Sequence, residues 1–191
     1  MDLLTILLLI PGITLVLLFL ARGQQTVRKI AMAGGAIQLL YTIFLAYCFI
    51  QEKMTAGNIS GLLFTDSFNW FEPLNSYGID GISLLMILLT ALVVFSGILV
   101  SGNIREQSKE FYVLLTLLGF GAYGFFIATD LFMLFFFLEI AVIPKYLLIG
   151  IWGSGAHEKN AMKLALMLMG GSALLLIGIL GIYFGSGATT M

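Results

Sequence analysis

Residues 131–152 read LFMLFFFLEIAVIPKYLLIGIW, and this stretch decides the fold. Apart from Glu139 and Lys145 it is almost wholly apolar. At the helical rise it reaches about 30 Å, the thickness of a bilayer's hydrocarbon core. No water is available there to satisfy backbone groups, so the segment must be helical. Five further runs have the same character: Leu3–Leu20, Ile30–Ile50, Ile82–Val100, Phe111–Ala128 and Leu164–Phe184. The composition agrees, being 60% hydrophobic and 10% charged with a mean hydropathy of +1.08. A soluble domain carries roughly 25% charged residues. The expectation is an all-α, polytopic membrane protein: one transmembrane domain over residues 1–191, with about six spans at 3–20, 30–50, 82–100, 111–128, 131–152 and 164–184.

The first span is not a signal peptide on this reading. It has no basic residue before Leu3, and it ends in Ala21-Arg22, not in a small-residue cleavage site. The glycines Gly34-Gly35, Gly119–Gly124 and Gly170-Gly171 are expected to let helices approach closely. Residues 51–81 form the one long connection. Its aromatics Phe64, Phe68, Trp70 and Phe71 suit an excursion lying at the membrane interface. The triplet Asn58-Ile59-Ser60 matches the glycosylation acceptor pattern, a match so short that it is mostly accidental.

Basic residues set the orientation of such a chain. Arg22, Arg28 and Lys29 flank the first connection, Arg105 and Lys109 the third, Lys159 and Lys163 the fifth. Lys53 alone serves the second, among Glu52, Asp66, Glu72 and Asp80, and the fourth has only Asp130. The odd connections are therefore placed in the cytoplasm and both chain ends outside, on the periplasmic side of a bacterial-type inner membrane. The charges of the third and fifth connections read as ordinary solvated loops. A net charge of −1 gives no basic footprint for nucleic acid. Cys48 stands alone in an apolar run and reads as a buried packing residue.

Glu139 is the leading candidate for chemistry. It lies about 3 Å from the middle of its span. A charge there costs roughly 2.5–3.5 kcal/mol on insertion. The Leu, Ile, Phe and Val side chains of the span return about 0.3–0.6 kcal/mol each, which outweighs that cost. Desolvation favours the protonated form of such a carboxyl, and a group able to exchange protons at membrane depth is what a proton pathway requires. A helix–helix hydrogen-bonding role is the plainer alternative. Lys145 is the weaker candidate. It lies about 120° around the helix from Glu139 and nearer the end, where it can reach the interface along its own stem. Pro144 removes a backbone donor and is expected to kink the helix beside the acid. Asp80 in Gly78-Ile79-Asp80-Gly81-Ile82-Ser83 reads as a helix cap. Asp130 reads as a cap or a surface charge, and His157 as a solvated loop residue. The sequence contains no nucleotide-binding glycine loop, metal-ligand cluster or nucleophile–base pair. Phe135–Phe137 is packing or lipid-facing material.

Two segments carry a resemblance. They are Tyr77-Gly78-Ile79-Asp80-Gly81-Ile82-Ser83-Leu84 and Phe137-Leu138-Glu139-Ile140-Ala141-Val142-Ile143-Pro144-Lys145-Tyr146, the latter running on to Ile151-Trp152-Gly153. In these, and in the order of its spans, the chain resembles the M-type (chain 4) antiporter-like membrane subunits of NADH:quinone oxidoreductase, respiratory complex I. The related L-type subunits and the multisubunit cation/proton antiporters are the neighbouring possibilities, and a truncated structural membrane protein is a third. The resemblance implies that the chain is the N-terminal part of an antiporter-like fold of about fourteen helices with inverted repeats. It implies proton translocation without redox chemistry in this chain: no cofactor here, with NADH, flavin, iron–sulfur clusters and quinone on other subunits. The implied partners are the L-, N- and K-type membrane-arm subunits. It also implies that Glu139 governs the charge of a lysine on a broken seventh helix. The helix that would carry it has no counterpart in these residues, and Lys145 is not its substitute.

Overall fold

The computed structural model describes residues 3–56, 63–67, 76–103 and 108–186. They form six α-helices and one small hairpin. The helices are α1 (Leu3–Leu20), α2 (Gln24–Ala56), α3 (Gly81–Val100), α4 (Ser108–Ile127), α5 (Leu131–Trp152) and α6 (His157–Ser186). All six are long and apolar enough to cross a membrane. The chain is thus a multi-pass membrane protein of the expected all-α class.

Two helices run well past their apolar runs. α2 begins at Gln24 and takes in Arg28, Lys29 and residues 51–56, so the excursion starts later than residue 51. α6 begins at His157 and takes in Lys159 and Lys163. Hydropathy marks only the part of a helix that sits in hydrocarbon. The flanking turns are polar but rich in Gln, Lys, Ala and Met, which are good helix formers. Little chain is left between α1 and α2, and Gly23 turns it at φ 99°, a conformation suited to glycine.

The excursion contains a structure that the helical reading omitted. Leu63–Ser67 (β1) and Ser76–Ile79 (β2) pair antiparallel, Leu63 with Ile79 and Ser67 with Ser76, with an irregularity between Leu63 and Asp66. Tyr77 also bridges to Ala128, just beyond α4, so the hairpin is tied to the bundle. Ile79 is fully buried in one cluster with Leu4, Leu84 and Ile127. The glycosylation-like triplet, Trp70 and Arg105 lie outside the described residues, as do Phe68 and Phe71.

α4 is the hub. It packs on α1, α2 and α3 on one side and on α5 on the other, while α6 rests chiefly on α5. Glycine permits the closest of these approaches. A side chain at Gly124 would overlap the ring of Phe137 on α5, and at Gly34 it would overlap Thr14 on α1. Gly170-Gly171 behave otherwise: among the described residues, no neighbour lies within 4 Å of where their side chains would begin. Cys48 is half-buried, not buried.

Two residues placed in loops by the sequence reading, Lys109 and His157, have structural partners. Lys109 stands in the first turn of α4. Its Nζ donates to the carbonyls of Phe19 at 2.8 Å and Ala21 at 3.2 Å, satisfying the open end of α1. His157 opens α6, with Nδ1 2.8 Å from the carbonyl oxygen of Gly150.

Candidate functional site

The site is built on α5, and α5 is set by its cap and its contact with α4. Asp130 starts the helix. Its Oδ1 accepts the N–H groups of Phe132 at 2.7 Å and Met133 at 3.2 Å. It is completely buried, so it is a cap and not a surface charge. Two turns further, Phe137 enters the notch at Gly124, and one turn beyond that Ala141 lies against Gly121. These contacts fix the rotation of α5 about its own axis.

That rotation places Glu139. It is about 180° around the helix from the mean direction of Phe137 and Ala141, and so points away from α4. Gly150 lies on nearly the same bearing three turns later, and its open side meets Ala161 of α6 at 3.6 Å. Glu139 therefore projects toward the α6 side of α5. Part of that side is uncovered: Ile143 is 61% exposed and Phe132 45%. Glu139 itself is half-buried. Its Oε1 is shielded from solvent and has no hydrogen-bond partner among the described residues.

The structure does not bring Lys145 to Glu139. It sits about 9 Å further along the axis and on another face. Pro144 is buried, and α5 runs through it from Leu131 to Trp152 without interruption. The carbonyl left without its helical donor is that of Ile140, adjacent to Glu139. The acid and the loosened backbone thus share one turn.

A second polar locus lies in α1, α2 and α4, and the sequence reading passed over it. Pro11 stands inside α1 and frees the carbonyl of Leu7. Gln38 of α2, 4% exposed, donates Nε2 to that carbonyl at 3.2 Å. Tyr123 of α4 is 1% exposed. The available signal was a proline in the first span and a glutamine inside the second, both weak beside a carboxylate.

Comparison with known proteins adds a family context. Residues 128–191 match the family described as NADH:quinone oxidoreductase/Mrp antiporter, TM. The chain is similar to NADH-ubiquinone oxidoreductase chain 4 of Chondrus crispus, at 32% identity over 94% of this chain and 36% of the relative. It is equally similar to the chloroplastic NAD(P)H-quinone oxidoreductase chain 4 of Angiopteris evecta, at 32% identity over 96% of this chain and 37% of the relative. The chain spans a little over a third of the length of these curated relatives. Among solved structures, it resembles a chain of an archaeal membrane-bound sulfane sulfur reductase, a respiratory membrane complex, with a TM-score of 0.80 and 25% identity over 98% of this chain and 38% of that one. It also resembles a chain of respiratory complex I from Thermus thermophilus with bound NADH, with a TM-score of 0.76 and 26% identity over 98% of this chain and 37% of that one.

Proposed function

We propose, from its similarity to chain 4 of NADH:quinone oxidoreductase, that this chain is part of a proton-translocating membrane-arm subunit. Quinone reduction elsewhere in the complex drives the transport. Glu139 is the proton-handling group. The observation that carries this reading is its carboxyl near the middle of α5, with one oxygen shielded and without a hydrogen-bond partner among the described residues. Such a group is costly in hydrocarbon and is most simply accounted for by a partner charge or by proton exchange. The partner cation comes from a segment beyond the six helices, on the partly open flank beside Ile143 and Phe132.

In this reading the chain performs no redox step and holds no cofactor. Nicotinamide, flavin, iron–sulfur and quinone chemistry belong to other subunits. Its neighbours are membrane-arm subunits of the L, N and K types. Both ends lie on the periplasmic side of an inner membrane.

Glu139→Gln in the assembled complex keeps the shape of the side chain and removes its carboxyl group. The expected result is normal assembly with loss of most NADH-driven proton uptake into inverted vesicles. Glu139→Asp retains an ionisable carboxyl and is milder. Unimpaired pumping by an assembled Glu139→Gln complex would overturn the assignment and leave a structural role. The family description also names Mrp antiporters, which favours a second reading as a cation/proton antiporter subunit. Co-purification decides between them. Iron–sulfur subunits accompany the chain in the first case, and antiporter subunits alone in the second.

A further inference from the structure

The locus at Pro11 is a small, partly enclosed pocket between helices that carries several buried polar groups, separate from Glu139. A cavity with about 20 Å³ of room for the centre of a water-sized sphere is lined by Pro11, Thr14, Gln38, Thr116 and Tyr123, among apolar neighbours. That exceeds the roughly 10–15 Å³ that one water needs. All four polar residues are more than nine-tenths buried. The orientation of the Gln38 amide is fixed by chemistry, since the Leu7 carbonyl can only accept and must face Nε2. Oε1 is thereby left as a buried acceptor without a partner among the described residues; the Tyr123 hydroxyl oxygen lies within reach of the Gln38 side chain, and its own O–H still needs an acceptor. The hydroxyls of Thr14 and Thr116 donate to the carbonyls of Ile10 and Tyr112, each at 2.8 Å, and keep lone pairs to offer.

We propose that this pocket is a binding site for one structural water that joins α1, α2 and α4. The water donates to Gln38 Oε1 and to the Thr14 hydroxyl, and accepts from the Tyr123 O–H. Three hydrogen bonds are the usual complement of a buried water. The break made by Pro11 is the origin of the site. It releases the Leu7 carbonyl, the carbonyl orients Gln38, and Gln38 turns an acceptor into the cavity. Without a water, the Gln38 Oε1 acceptor and the Tyr123 O–H donor would not both be well paired in a membrane interior, a costly arrangement.

X-ray radiolysis in ¹⁸O-labelled water tests this, because ordered internal water is activated where it sits and oxidises the side chains it touches. Tyr112 is the internal control. It is 2% exposed, and its hydroxyl donates to the Ser101 carbonyl at 3.2 Å. In the purified assembled complex, Tyr123 should incorporate ¹⁸O several-fold faster than Tyr112. Gln38→Met, close in volume, should bring the two rates together while Tyr112 is unchanged. Equal and minimal labelling of Tyr123 and Tyr112 in the unsubstituted complex would show a dry cavity and overturn the proposal. The wild-type comparison needs no variant to fold, and its outcome does not depend on whether Glu139 carries protons.

Discussion

Asp80 and Asp130 do the same job in different surroundings. Asp130 caps α5 from complete burial, whereas Asp80 caps α3 from a partly open position. Asp80 Oδ1 accepts the Ser83 N–H at 2.6 Å. That backbone bond, and then the Ser83 hydroxyl, hold its carboxyl below the ordinary aspartate value. A carboxyl whose pKa is lowered by folding stabilises the fold above its unfolded pKa, near 3.8, and loses that contribution as pH falls through the lower folded value. Asp80→Ala should therefore cost about 1 kcal/mol at neutral pH, a typical figure for a lost cap. The deficit should narrow as the pH is taken below about 4, where the unfolded carboxylate is itself being protonated. Thermal melts of the two proteins across that range check it, and a deficit that stays constant would assign the loss to packing. This cap was legible in the sequence, because Asp followed by Gly-Ile-Ser and an apolar run is a helix start. Glu139 was legible for the opposite reason, as a charge in the wrong solvent. Gln38 and Tyr123 were not, because neutral polar residues barely lower the hydropathy of a span. Their burial also depends on three helices meeting at a proline.

Among the elements, α4 and α5 share the contact that aims Glu139, and its tightest point is the Phe137 ring in the notch at Gly124. Adding even one methyl group there forces the helices apart or the ring out of its rotamer, which costs typically 1–3 kcal/mol. Gly124→Ala should lower the melting temperature and the yield of assembled complex. Phe137→Leu should recover part of the loss in the double variant although it is itself destabilising, because it empties the space that the methyl needs. Coupling of this sign in a double-mutant cycle identifies a direct contact, and simple additivity would place the effect elsewhere. The glycines of α4 were recognisable as packing residues, but the sequence could not show that Gly170-Gly171 meet no neighbour among the described residues. Glycine reports that close approach is possible, and only the neighbouring helix shows whether it occurs. The hairpin was hidden for a related reason. Two strands of five and four residues leave little room for an alternating pattern, and their stability comes from Ile79 docking into the helical core.

At the scale of the whole molecule, the charges sort themselves by end. Lys109 reaches the C-terminal carbonyls of α1, and Trp152 at the end of α5 stacks edge-on against Phe111 at the start of α4, with ring centres 5.3 Å apart. These contacts collect Arg22, Arg28, Lys29, Lys109, Lys159 and Lys163 at one end of the bundle. The Tyr77–Ala128 bridge gathers Asp80, Asp130 and the hairpin at the other, where α2 also delivers Lys53. The alternation read along the sequence thus becomes a separation in space, and the proposed orientation, which follows the positive-inside tendency, puts the basic end in the cytoplasm. Lys53 and Lys159 are both exposed and mark the two ends. In a Cys48→Ser background, Lys53→Cys should react with a membrane-impermeant maleimide applied from the periplasmic side. Lys159→Cys should react only in inverted vesicles. The reverse pattern would invert the molecule in its membrane. It would also turn Glu139 around with respect to the proton gradient, because the position of Glu139 along α5 is fixed relative to both ends. Labelling of both cysteines from one side would be incompatible with the bundle, since α3, α4 and α5, an odd number of crossings, lie between the end of α2 and the start of α6.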